Sequence, residues 1–190
     1  MKAMTMPWTL HRFGRDRRGA SAIEFAILAP LMLGLYIGCV EISDGVAADR
    51  KVTLAAGALS NLTAQSQTIS VTAMDNILNA STAIMTPYTG AVSAKVSCLK
   101  IDATGKATVA WGVATAGTTP RTAGSAITIP AELSVPSSSL VFSEVSYQYL
   151  PVTGYIPAWS HIAETGITLS DRMYMSPRIT PPVYNSIACT

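Results

Sequence analysis

A long apolar run near the amino terminus limits what this chain can fold into more than any other feature. From residue 20 to residue 40 it carries one formal charge, Glu24, among apolar and small residues. As an α-helix, this run measures about 31 Å at a rise of 1.5 Å per residue. A bilayer core is about 30 Å thick, so the run predicts a membrane-spanning helix.

Glu24 is unexpected there, because a charge near the centre of a membrane costs at least about 2.5 kcal/mol. Either the carboxylate has a function within the membrane, or it lies one turn inside the interface and reaches the headgroups. Gly19 separates a basic cluster at residues 15–18 from the apolar run. A glycine at this junction leaves an accessible peptide bond, and cleavage there would place a new amino terminus, Ala20, one helical turn from Glu24.

The run R-R-G-A-S-A-I-E-F-A-I-L-A-P, residues 17–30, resembles the amino-terminal signature of the TadE-like family of Tad (Flp, tight adherence) pilus systems. Members of that family are pseudopilins or minor pilins. The resemblance implies cleavage between Gly19 and Ala20 by a prepilin peptidase, with Glu24 at the fifth position of the mature chain. It also implies other Tad pilins and an inner-membrane assembly platform as partners, and a role in pilus biogenesis and surface adhesion.

Two further runs extend the resemblance towards the carboxyl terminus. The run E-V-S-Y-Q-Y-L-P, residues 144–151, resembles the E-V-x-Y-x-Y-x-P run of TadE-like domains. The run M-S-P-R, residues 175–178, is similar to the M-x-P-R ending of the family. Both ends of the chain therefore carry the resemblance, and the region between them shows nothing diagnostic.

Two other interpretations of the amino terminus compete with this one. A secretory signal peptide has a basic start and an apolar core of roughly 7–15 residues. The present run is longer, carries a charge near its start and ends without an A-x-A cleavage site. An uncleaved single-pass inner-membrane protein, with a periplasmic binding or secretion-accessory domain, is the alternative that stays open.

The charge distribution predicts the orientation in the membrane. Residues 1–19 hold five basic residues and one acidic residue, whereas the rest of the chain holds eight basic and ten acidic residues. Positive charge before a spanning helix favours a cytoplasmic amino terminus. We therefore predict a cleaved cytoplasmic leader (1–19), a transmembrane helix (20–40) and a periplasmic or extracellular domain (41–190).

The predicted domain is of the α+β class, a small antiparallel sheet packed on helix. Helical spacing predicts that the first helix continues to about residue 67, and a second helix, capped by Thr72, should end at Pro87. The apolar face of the continued helix consists of Val52, Ala55, Leu59 and Leu62. Period-two patterns then predict strands from residue 92, near residue 109, over 141–149 and over 167–179. With the long helix, this predicts the lollipop shape of a pilin.

Cysteine usage fits an oxidising compartment. Cys39 lies in the apolar helix, where a small packing residue is expected. Cys98 falls on a predicted strand and Cys189 near the carboxyl terminus. They are either two separate buried thiols or a disulfide, and we favour the disulfide because it would hold the terminal segment down.

The sequence contains no pattern that indicates catalysis or a cofactor. Only 13% of the residues are charged, which argues against a nucleic-acid binder. Two histidines, His11 and His161, stand far apart, and no H-x-x-x-H or C-x-x-C spacing suggests a metal. A nucleophile elbow and a phosphate loop are also missing. We therefore expect a structural protein rather than an enzyme.

Overall fold

The computed structural model describes residues 18–88, 90–151 and 166–189. The chain divides into two compact units, Met1–Ile42 and Ser43–Thr190. One continuous helix, α1 (Arg18–Gln65), contributes to both units, and it includes Pro30 without ending there. The continuation of the helix beyond residue 40 is therefore confirmed. Most of the predicted leader lies outside the described residues.

The second unit continues after α1 with one more helix and a series of strands. In chain order these are β1 (Thr68–Ile69), α2 (Val71–Met85), β2 (Val92–Ile101), β3 (Ala107–Ala114), β4 (Ala126–Ile127), β5 (Ser139–Tyr149), β6 (Ile167–Met175) and β7 (Val183–Tyr184). An antiparallel sheet has the strand order β4-β3-β2-β5-β6, and β1 pairs in parallel with β7. The predicted α+β class, with a helix packed on an antiparallel sheet, is confirmed.

One face of the sheet packs against both helices. Val52 and Leu59 of α1 and Met74 of α2 are fully buried in the apolar core that they share with the strands. Ser143 on β5 donates a hydrogen bond of 2.7 Å to the carbonyl oxygen of Ala56. A bond between a strand side chain and the helix backbone requires close contact, and the alanines on this side of α1 permit it.

Two local predictions were wrong. Ser70, not Thr72, caps α2: its side chain accepts a hydrogen bond of 3.2 Å from the amide of Ala73, and its own backbone is extended. Thr72 already lies within the helix. Leu62 is 41% exposed, because the buried side of α1 in its last turns passes through Thr63 instead. The end of α2 at Met85, before Pro87, is as predicted.

The loop between β3 and β5 covers part of the opposite face of the sheet. It includes the short edge strand β4, which pairs with the start of β3. A second apolar cluster lies beneath it and contains Leu99, Ile101, Ala107, Val109, Leu140 and Phe142. The Arg121 side chain makes two hydrogen bonds to the carboxylate of Glu144, of 2.6 and 2.8 Å. These bonds also raise the pKa of the Arg121 guanidinium and fasten the loop to β5.

The segment after β6 returns to the carboxyl end of α1. The amide of Arg178 donates to the carbonyl of Ala64 at 3.0 Å, and the amide of Val183 donates to Gln67 at 2.9 Å. The indole of Trp111 donates to the carbonyl of Pro182 at 3.2 Å. These bonds, and the β1–β7 pair, were not predicted from the sequence.

Candidate functional site: the amino-terminal segment of the long helix

The predicted cleavage point lies in the first turn of α1, which begins at Arg18. A Cβ atom placed on Gly19 would meet nothing within 4 Å, so no described group crowds this peptide bond. The bond between Gly19 and Ala20 therefore lies in the first described turn of α1.

Glu24 lies on α1 with its side chain exposed. None of the described residues forms a hydrogen bond or an ion pair with the Glu24 carboxylate. Its neighbours Ile23 and Phe25 are 65% and 72% exposed. A carboxylate in such surroundings lacks an intramolecular partner among the described groups, so a compensating charge has to come from elsewhere if this segment is in lipid.

The helix around Glu24 presents apolar side chains on all sides. The large apolar residues of this segment that are more than half exposed are Ile23, Phe25, Ile27, Leu28, Leu31, Met32, Leu33, Leu35, Tyr36 and Ile42. Among the described residues, one helix is long and apolar enough to cross a membrane, and its apolar stretch is not buried. Water is a poor solvent for such a surface, whereas lipid or other helices would cover it.

Small residues form one row along this helix. Ala22, Ala26, Pro30, Gly34 and Gly38 follow each other at intervals of four, so that each lies near the next on the helix surface. The row winds around the helix, because each step of four residues adds about 40° to a full turn. A Cβ atom on either glycine would meet nothing within 4 Å. Rows of small residues let membrane helices approach closely. From the sequence, Ala22, Ala26, Ala29 and Gly34 were expected to permit close approach; Ala29 lies outside this row, and its continuation to Gly38 was missed.

The two cysteines outside the apolar helix are joined. Cys98 on β2 and Cys189 form a disulfide with their Cα atoms 5.9 Å apart, and both residues are fully buried. This is the pairing that the sequence favoured. Cys39 lies in α1, outside this bridge.

The E-V-S-Y-Q-Y-L-P run contributes an aromatic group close to the start of the second unit. The ring of Tyr149 lies 3.6 Å from a Cβ atom placed on Gly45. Tyr88 donates a hydrogen bond of 3.1 Å to the carbonyl of Asp44, and its ring centroid is 6.2 Å from that of Tyr147. Burial, followed by the Asp44 carboxylate, raises the pKa of the Tyr88 hydroxyl above 10.0. The tyrosines of this run thus flank α1.

The M-S-P-R run has a structural role that the sequence did not reveal. Besides the amide bond to Ala64, the guanidinium of Arg178 donates to the side-chain oxygen of Asn61 at 2.9 Å. Helix carbonyls near a carboxyl end lack partners, and a cation there complements the helix dipole. Arg178 therefore caps α1. The described residues contain no group of three or more potential metal ligands.

Comparison with known proteins supports the amino-terminal resemblance. Residues 19–58 match the family model described as TadE-like protein. The match begins at Gly19, includes Glu24 and the whole apolar run, and ends within the part of α1 that packs on the sheet. It confirms the TadE-like resemblance of this segment and associates the chain with the Tad pilus system. No curated protein and no solved structure matches the chain.

Proposed function

We propose that this TadE-like chain is a minor pilin or pseudopilin of a Tad pilus. A prepilin peptidase removes residues 1–19, α1 anchors the mature chain in the inner membrane, and residues 41–190 lie on the periplasmic side. From there the protein is assembled with other pilins through the inner-membrane platform, for pilus biogenesis and adhesion. It acts structurally and not as an enzyme. The observation that carries the proposal is the family match, which begins at the glycine of the expected cleavage point.

Processing is tested by the intact mass of the protein isolated from bacterial membranes. A strain with an active prepilin peptidase should yield a chain that begins at Ala20. Replacing Gly19 with leucine should leave the full-length precursor in the membrane, because a bulky side chain replaces the small one before the scissile bond. A Gly34→Leu variant is the control, since it changes a glycine of the same helix away from the junction. A mature protein that still begins at Met1 would favour the uncleaved single-pass alternative.

Assembly is proposed to depend on Glu24. After cleavage, the α-amino group of Ala20 lies about 6 Å from Glu24 along the axis, four residues at 1.5 Å each. Pairing the carboxylate with the amino terminus of a neighbouring subunit would offset the cost of a charge in lipid and would set the stagger between helices. The row of small residues on α1 would permit the approach.

The test compares Glu24→Ala with Glu132→Ala, which removes an exposed carboxylate from the second unit. We expect the Glu24 variant to be cleaved and inserted but not recovered with partner pilins, and pilus number to fall. The Glu132 variant should behave as wild type. Normal piliation of the Glu24 variant would leave this residue as an interface charge, and loss of cleavage would assign it to peptidase recognition.

A further inference from the structure

An exposed apolar pair lies at one end of the sheet, where β5 finishes and β6 begins. Tyr149 and Ile167 are paired across the two strands. Gly166 has a φ of +69°, and a Cβ atom there would lie 3.0 Å from the side chain of Leu150, so Leu150 packs beside the start of β6. Leu150 is 54% exposed and Ile167 is 42% exposed. We call Leu150 and Ile167 the end pair.

The end pair lies close to the residues with which α1 begins in the second unit. Tyr149, next to Leu150 in the chain, contacts Gly45 of α1. Tyr88, whose ring is 6.4 Å from that of Tyr149, bonds to Asp44. Asp44 follows the last residue of the predicted membrane span by only four positions on the same helix. The end pair is therefore at the end of the second unit to which the apolar helix is connected.

The strand ends that carry the end pair are free of formal charge. Residues 145–151 and 166–170 contain no Asp, Glu, Lys or Arg, although Glu144, Asp171 and Arg172 lie just beyond them and Glu164 precedes Gly166 by two positions in the sequence. Tyrosines accumulate where proteins meet the water–membrane boundary, because the ring is apolar and the hydroxyl is polar. Asp44 brings an exposed carboxylate nearby, and a carboxylate is not tolerated deep in hydrocarbon. The composition therefore suits the headgroup region.

We infer that the end pair docks onto the surface of the bilayer that α1 spans, with Leu150 and Ile167 inserted at the boundary between headgroups and acyl chains. The occupant is lipid, because both side chains are apolar, the strand ends that carry them lack charge, and the neighbouring Tyr149 lies near Gly45, a few residues after the predicted span. Interfacial apolar groups reach about 5–10 Å into this boundary. The inference rests on the proposed membrane insertion and adds a second contact between protein and membrane.

Val135 provides a matched control. It is 58% exposed and lies close to Ser137, whose amide bonds to the carbonyl of Asp102 after the end of β2. The start of β2 is paired with Tyr147. The ten residues of β2 span about 33 Å at 3.3 Å per residue, so Val135 is at the opposite end of the sheet from the end pair.

The experiment uses the full chain with Cys39→Ser, so that the oxidised Cys98–Cys189 bridge leaves one reactive thiol. Leu150→Cys, Ile167→Cys and Val135→Cys are each labelled with the polarity-sensitive dye NBD and reconstituted into phosphatidylethanolamine–phosphatidylglycerol vesicles. Adding lipid with a doxyl quencher near its headgroup should lower the fluorescence at the end pair and leave the label at residue 135 unchanged. Adding Leu150→Glu should reduce quenching at residue 167, whereas Val135→Glu should not.

Three results would overturn the inference. Unquenched labels at residues 150 and 167, in protein that floats with the vesicles, would mean that the end pair faces water. Labels insensitive to the lipid quencher but altered by added unlabelled protein would mean that a second copy covers it. Failure of the protein to float with the vesicles would overturn the membrane insertion itself, and with it the docking.

Discussion

Replacing both Cys98 and Cys189 with alanine measures how strongly the disulfide stabilises the second unit. The bridge joins residues 91 positions apart. In the chain-entropy treatment, a loop of this length lowers the entropy of the unfolded chain by about 15–16 cal/mol/K, which is about 4.6 kcal/mol at 25 °C. Because both residues are fully buried, loss of the sulfur atoms adds a small packing cost.

Non-covalent contacts decide how much of this stabilisation is visible. Without the bridge, residues 178–189 are still held by the bonds of Arg178, Pro182 and Val183, each worth about 1 kcal/mol net. If these bonds keep the segment in place, the second unit unfolds as a whole and the free energy of unfolding falls by about 4–5 kcal/mol. If the segment detaches first, the loss is divided between a local and a global transition.

The assay is urea unfolding of the full chain in detergent micelles, followed by circular dichroism. Peptide mapping without reduction has to find the linked Cys98 and Cys189 peptides in the wild type first; two alkylated thiols would contradict the bridge itself. Cys39→Ser is the matched control, because it removes a sulfur and leaves the bridge intact. A double variant that unfolds within about 1 kcal/mol of the wild type would refute the entropy argument.

Three smaller changes test other parts of the fold. A Gly112→Ala variant should lose about 1–3 kcal/mol of stability by overpacking, since its Cβ would lie 2.6 Å from the carbonyl oxygen of Arg121. Gly57→Ala, at an open helical site, should instead gain about 0.5–1 kcal/mol. Melting temperatures that shift in the same direction in both variants would contradict this prediction. A hydrogen bond from a threonine side chain, followed by backbone amide bonds, lowers the pKa of Asp102 below 3.8. The contribution of ionised Asp102 to folding stability is therefore complete above pH 3.8 and is lost as the pH falls through the lower pKa of the folded state. Asp102→Ala should weaken the pH dependence of the melting temperature below about pH 4. An acid profile identical to that of the wild type would argue against this. Ser70→Ala should cost about 1 kcal/mol through loss of the helix cap, whereas Thr72→Ala should cost less, and urea midpoints in the reverse order would restore the original capping prediction.

The sequence could predict those parts of the fold that local patterns control. The apolar run, the alternation on β2 and β5, and the stop before Pro87 each depend on residues close together in the chain. The cap of α2 was misplaced because Thr72-x-x-Asp75 fits a capping box as well as Ser70 fits a single cap. The choice between them depends on where the backbone leaves β1, which is a tertiary feature.

Long-range contacts could not be predicted in the same way. Arg178 and Asn61 are 117 positions apart, and nothing local to either residue indicates the other. The loop over the second face of the sheet has the composition of a flexible linker, yet the Arg121–Glu144 pair and the apolar cluster beneath it hold it in place. At the candidate site, the sequence predicted Gly19 and Glu24 from a motif, but only the structure brought the tyrosines next to α1.

The capping of α1 by Arg178 also sets an order of events during synthesis. Ribosomes add roughly 5–20 residues per second, so the 117 residues that follow Asn61 up to and including Arg178 take roughly 6–23 s to make. Throughout that interval the carboxyl end of α1 exists without its cap, and the apolar side meant for the sheet stays uncovered until β2 and β5 have been made. A nascent chain of this kind has a prolonged vulnerable phase, in which holding by a chaperone would matter more than the stability of the finished fold.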